Sequence, residues 1–140
     1  MPTRQIHAAD VPDSADAVFM ESYESRHSSH TVSRGIADEL GFRQPPLRMD
    51  SQCKYGLLAR GDGHLFLRFP PSSYREKIWD HAAGTVVYEE AGGVVSDASG
   101  APLDYSQGRY FETLDRGIIA ATPALHKRLV EVIAAHGMNL

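Results

Sequence analysis

Two residue types are nearly missing from this chain of 140: it has one cysteine and one tryptophan. With Cys53 alone, no disulfide can form within the chain, and a reducing, cytoplasmic setting is expected. No apolar run approaches the roughly 20 residues of a membrane span, so no membrane partner is expected. Basic residues are not in excess: 14 Lys and Arg stand against 18 Asp and Glu, a net charge of −4. That balance offers no footprint for nucleic acid or for an anionic membrane. The opening "MPTRQIHAADVPDSADA" lacks the apolar core of a secretory signal. Gly-rich phosphate loops of the P-loop and dinucleotide types are absent too. What is present is an ordinary globular composition, 42% hydrophobic and 23% charged. That is enough for one domain with a real core.

The chain alternates its hydrophobic period. Residues 1–16 are polar, with Pro2 and Pro12, and read as a loose lead-in to a single domain over 17–140. "AVFMESYES" from Ala17 suggests a strand. Val32, Ile36 and Leu40 then recur every four residues, with Ser28 or Ser29 to cap the start and Gly41 the end, which predicts a helix. A short strand follows at Leu47–Met49, then a helix from Asp50 and Ser51 to Gly61. "HLFLRFP" is the clearest strand, with Leu65, Leu67 and Phe69 opposite Phe66 and Arg68. A helix is expected from Asp80, burying Ala82, Ala83, Val86 and Val87. "VVSDASG" and "RGIIAAT" read as strands, and Pro123 opens a last helix with Leu125, Leu129, Val132 and Ile133 inward. Such alternation predicts an α/β fold, a layered and mostly parallel sheet with flanking helices. Ligands of such sheets gather at the carboxyl ends of strands.

Several residues there can carry chemistry, each with a plainer role beside it. Ser51 and Lys54, three apart at a helix start, form either an anion site or a cap with a solvated lysine. Arg68, near the end of the best strand, can fork onto a phosphate or sit as an edge charge. In "HSSH", His27 and His30 have no cysteine or third histidine nearby to support zinc, and contact with a ligand base fits better. Asp80 is either a helix-start acid or a metal ligand. The small run Ala82-Ala83-Gly84 beside it allows close packing of the helix.

Taken together, "HSSH", "DSQCKYGLLARGDGHLFLRFP", "YREKIWDHAAGTVVYEEAGG" and "RGIIAATPALH" resemble the C-terminal part of the 3′(2′),5′-bisphosphate nucleotidases. These belong to the lithium-sensitive, magnesium-dependent phosphatase superfamily that includes inositol monophosphatase. "WDHAAG" matches that superfamily's W-D-x-A-A-G signature, and "HSSH" with "DSQCKY" points to the nucleotidase branch. The resemblance implies a phosphoric monoester hydrolase that removes the 3′-phosphate of adenosine 3′,5′-bisphosphate to leave AMP. It implies Asp80 as a Mg²⁺ ligand, Ser51, Lys54 and Arg68 as nucleotide and phosphate contacts, and His27 as an adenosine-side contact. The superfamily's first signature, D-P-[IL]-D-G-T, which supplies most metal ligands and a water-activating threonine, occurs nowhere in this sequence. No catalytic base-side residue is therefore expected here. The chain alone is expected to be inactive, and to self-associate through the face an N-terminal half would cover. A non-catalytic adenosine-phosphate-binding remnant and a related inositol or sugar phosphatase are the alternatives.

Overall fold

Apolar alternation and helix punctuation divide the chain into β1 (Phe19–Glu21), α1 (His30–Glu39), β2 (Leu47–Arg48), α2 (Cys53–Arg60), β3 (Leu65–Arg68), α3 (Ala82–Glu90), β4 (Val94–Asp97), β5 (Ile118–Ala121) and α4 (Pro123–His136). The computed structural model describes residues 2–136. The strands form one sheet in the order β2-β1-β3-β5-β4. β1 pairs in parallel with both β2 and β3, whereas β5 pairs antiparallel with β3 and with β4. Four strands thus run the same way and β5 runs against them, so the sheet is mixed. The reason lies in the connections. From β1 through to β4, each strand leads to the next by way of a helix, the crossover that parallel strands require. The link from β4 to β5 contains no helix, and β5 returns antiparallel into the gap between β3 and β4.

The sheet is covered on both faces. Leu65, Leu67 and Phe69 pack with Ile36, Ala37 and Leu40 of the α1 region and with Leu125, Leu129 and Ile133 of α4. Phe66, Ile118 and Ala120 pack on the other face with Tyr55, Leu58 and Ala59 of α2 and with Tyr88 of α3. Strands buried on both faces, as β3 and β5 are, read as continuous apolar runs. Arg68 is the exception in β3, and it shares the face of Phe66.

Caps fall close to the expected places. Ser29 is the N-cap of α1, its hydroxyl accepting from the Val32 N–H, and Gly61 ends α2 in a left-handed conformation at φ +80°. The strand expected from Ala17 to Ser25 is confined to Phe19–Glu21, the residues that find partners: Phe19 and Met20 in β3, Met20 and Glu21 in β2. The polar opening is tied to the rest of the chain: Ala8 donates to the Ala91 carbonyl at 2.8 Å, Arg43 donates its N–H to the Ala15 carbonyl at 3.0 Å, and Ala15 is buried in a short 3-10 turn at Ser14–Asp16 capped by Asp13.

The region of α3 departs from expectation. Asp80 does not begin the helix: it ends a separate 3-10 turn, Ile78–Asp80, and α3 starts at Ala82 after His81. The buried face is His81, Thr85 and Tyr88, while Val86 and Val87 are 62% and 46% exposed and Ala83 is exposed. Polar side chains took the inward positions because they find partners there. Gly84 does serve close packing, but against α2 rather than the sheet: a Cβ at this position would stand 2.3 Å from the Tyr55 ring. Tyr55 cannot swing aside freely, since its hydroxyl is bonded to His81. Gly84→Ala is therefore expected to destabilise the fold by about 1–3 kcal/mol from overpacking, despite alanine's better helix propensity. Urea denaturation of the two proteins measures the difference.

Candidate functional site: a cavity at the strand ends

The carboxyl ends of β1, β2 and β3 open together on a cavity of about 190 Å³, lined by Ser22, His27, Asp50, Ser51, Gln52, Lys54, Arg68, Tyr74 and Asp80. All five residues singled out from the sequence, His27, Ser51, Lys54, Arg68 and Asp80, line it. Local folding explains each position. The Ser28 hydroxyl accepts from the Phe69 N–H at 3.1 Å, and Ser29 donates its N–H to the Phe69 carbonyl at 2.7 Å. These bonds tie the "HSSH" loop to the end of β3 and set His27 at the rim. His30 turns away, and its Nε2 lies 2.9 Å from the Ser22 carbonyl. Ser51 accepts from the Cys53 N–H at 3.1 Å, at the turn leading into α2.

Two buried cations define the floor. Lys54 places Nζ 2.7 Å from the Met49 carbonyl and 2.8 Å from the Ser51 carbonyl. An ammonium has three N–H donors, so one remains for the cavity. Burial, assisted by repulsion from Arg68, lowers the Lys54 pKa to about 8. Arg68, 4% exposed, donates through Nε to Glu76 and through Nη1 to the Ser22 hydroxyl at 3.1 Å. Its guanidinium also lies over the Tyr74 ring, 5.7 Å from the centroid, and Tyr74 meets His27 at 5.7 Å between ring centres.

Behind Arg68 runs a buried chain of polar groups that the sequence did not reveal. Glu76 Oε2 is 2.9 Å from His81 Nε2, and His81 Nδ1 is 2.8 Å from the Tyr55 hydroxyl. Burial raises the Tyr55 pKa well above its ordinary value, so the phenol keeps its proton. The Glu76 carboxylate can only accept, so Nε2–H of His81 donates to it. Burial also works to raise the Glu76 pKa, but the His81 hydrogen bond and the Arg68 cation outweigh it, and the pKa lies below the usual value.

The carboxylates on the cavity wall are Asp50 and Asp80. Asp50 accepts the Glu24 N–H at 3.1 Å. The Asp80 carboxylate has no protein hydrogen-bond donor among the described residues, and it stands beside a fully buried residue, His81. Magnesium takes six oxygen ligands and sheds water reluctantly. Among the described residues no three His, Cys, Asp or Glu side chains converge on one metal position. The cavity as it stands has two cations at its base and two carboxylates on its wall.

Sequence reasoning did not single out Ser22, Asp50, Tyr74, Glu76 or His81 as site residues. Asp50 adjoins a residue that was singled out, and His81 lies within "WDH". Glu76 sits in an irregular segment, and no periodic pattern marks it.

The sequence pattern of the inositol monophosphatase family matches residues 3–138. A 3′(2′),5′-bisphosphate nucleotidase of Oryza sativa is 51% identical over 132 residues, which are 94% of this chain and 37% of that protein. A protein of the same name from Schizosaccharomyces pombe is 46% identical, with the same coverage. This chain therefore spans little more than a third of the length of these relatives. Among solved structures, an inositol monophosphatase from Anabaena (Nostoc) sp. superposes with a TM-score of 0.65 at 21% identity, covering 93% of this chain and 48% of that one. Inositol monophosphatase-II from Staphylococcus aureus gives 0.67 at 16% identity, covering 94% and 45%. At such identities these two likenesses establish the fold. No helix among the described residues is long and apolar enough to cross a membrane.

Proposed function

Because the chain belongs to the inositol monophosphatase family, whose members generally use divalent metals, we propose that its cavity is the substrate-side part of a bisphosphate nucleotidase site. The observation that carries this reading is the convergence of His27, Ser51, Lys54, Arg68 and Asp80 on one cavity at the strand ends. Arg68 and Lys54 take the phosphate oxygens by charge-assisted hydrogen bonds. His27, with Tyr74 beside it, faces the adenosine. Asp80 is one ligand of a Mg²⁺ whose remaining protein donors are not in these 140 residues. A bound Mg²⁺ would stabilise charge on the transferring phosphoryl group. In an enzyme with those donors, the reaction is removal of the 3′-phosphate of adenosine 3′,5′-bisphosphate to give AMP. The 140-residue chain by itself binds but does not turn over, and it self-associates through exposed apolar groups such as Trp79, Val86 and Val87. The lone exposed Cys53 fits a cytoplasmic setting.

Titration with AMP tests the binding claim. The chain is expected to bind AMP near neutral pH, and affinity should fall as pH rises through about 8, where free Lys54 loses its proton. The sign follows from linkage: phosphate favours the ammonium form, so binding takes up a proton above the free pKa. Lys54→Gln should flatten that fall. Absence of AMP binding across the neutral range and on either side of it would defeat the reading.

A further inference from the structure

We propose that Glu76 is a positioning residue for phosphate recognition: held from behind by His81 and Tyr55, it fixes the plane of Arg68 so that the outer N–H groups of the guanidinium face the cavity. This deepens the reading of the cavity as a phosphate site and rests on it. Arg68, Glu76, His81 and Tyr55 are respectively 4%, 2%, 0% and 1% exposed. They join end to end: Arg68 Nε to Glu76 Oε1, Glu76 Oε2 to His81 Nε2, His81 Nδ1 to the Tyr55 hydroxyl. Each group in the line uses one side for the group behind it and the other for the group ahead. Ser22 takes one Nη1 proton. Nη2 has no protein acceptor among the described residues, yet it is not a sealed, unpartnered atom. It therefore opens on the cavity that Arg68 lines.

The charge of Glu76 argues against an alternative in which it simply serves electrostatics. A carboxylate behind the site lowers the positive potential there and works against an anionic ligand. If charge were its main influence, the cavity would bind phosphate better without it. A guanidinium, however, recognises phosphate as a planar fork, and a fork turned out of plane loses paired contacts. The orienting contact has to repay the loss of potential. His81 and Tyr55 extend the constraint: they fix the Glu76 carboxylate in turn. The same arrangement immobilises His81, whose chain neighbour is Asp80. Metal-side and phosphate-side residues are thus referenced to one rigid line of bonds.

Two substitutions separate geometry from charge. Glu76→Asp keeps the charge and loses about one methylene of reach. Glu76→Gln loses the charge and keeps the reach, and its amide can donate to His81 Nε2 while Tyr55 accepts from Nδ1–H. In calorimetric titrations with AMP, E76D is expected to bind about tenfold more weakly, and E76Q no more tightly than the original chain and at most about threefold more weakly. In an Arg68→Lys background, which has no fork to aim, E76D should cause no further loss. Equal affinities for E76D and the original chain, tighter binding by E76Q than by the original, or an undiminished E76D effect in the R68K background would each overturn the proposal. A second readout does not depend on AMP. The Arg68 Nε–H proton should exchange slowly and resonate downfield in the original chain and in E76Q, and lose both properties in E76D. If the original chain fails to bind AMP, the function reading falls, and this proton still decides whether Glu76 holds Arg68. An Nε–H signal unchanged in E76D would overturn the positioning role.

Discussion

Replacing Arg68 with methionine is expected to remove about 3–5 kcal/mol of folding stability at pH 7, the range found when one partner of a buried ion pair is deleted. The argument turns on what remains. Glu76 is 2% exposed and its carboxylate has two supports, Arg68 and His81. Methionine fills much of the arginine's volume, so the loss arises from charge rather than from a cavity. The pH dependence shows this. In the original chain Glu76 has a pKa lowered from 4.5, so it contributes stability above that value and loses it as pH falls through the folded pKa. In R68M burial is no longer opposed by the guanidinium, and the Glu76 pKa moves upward. The deficit should therefore be full at pH 7 and shrink toward pH 4, where Glu76 in the variant is protonated. Urea denaturation at both pH values gives the comparison. A deficit of the same size at pH 4 and pH 7 would assign the loss to packing and remove the buried pair from the account.

The same pair shows where the sequence was legible and where it was not. β3 and its terminal arginine could be read from alternation alone, because Leu65, Leu67 and Phe69 repeat at the period of a strand and Pro70 stops them. Ser29 and Gly61 could be read because cap chemistry is local. The direction of β5 could not: Ile118–Ala121 is buried on both faces, so its pattern carries no sign of its partners, and only the missing helix before it hints at an antiparallel return. The buried face of α3 was misread for a different reason. An apolar pattern assigns Val86 and Val87 inward, but His81 and Thr85 take those places because Glu76, Tyr55 and Tyr105 satisfy their polar atoms. Such satisfaction depends on residues far along the chain, and periodicity is blind to it. The site divides along the same line. Ser51, Lys54 and Asp80, singled out within compact motifs, line the cavity, whereas Tyr74 beside them and Glu76 and His81 behind Arg68, whose partners come from other elements, were not singled out.

The largest effect expected of this protein is catalytic. With Mg²⁺ present, the 140-residue chain is expected to release no phosphate from adenosine 3′,5′-bisphosphate above the buffer rate, while still binding AMP. A phosphoryl transition state spreads negative charge over several oxygens, and enzymes that stabilise it with metal do so by holding the ion in a fixed place. Here Asp50 and Asp80 are the carboxylates at the cavity, and no three potential metal-ligating side chains converge among the described residues. A magnesium ion at Asp80 would keep most of its waters and exchange freely, so its affinity for the chain should lie in the weak range of an isolated carboxylate pair. Fusing a segment that carries the D-P-x-D-G-T signature and its companion glutamates should restore turnover, and Asp80→Asn in that fusion should abolish it again. Magnesium-dependent phosphate release by the 140 residues alone would show that the donors seen here suffice. An active fusion indifferent to Asp80→Asn would instead locate the metal elsewhere. The two failures point to different errors, one in counting ligands and one in placing them, and phosphate release from the chain and the two fusions tells them apart.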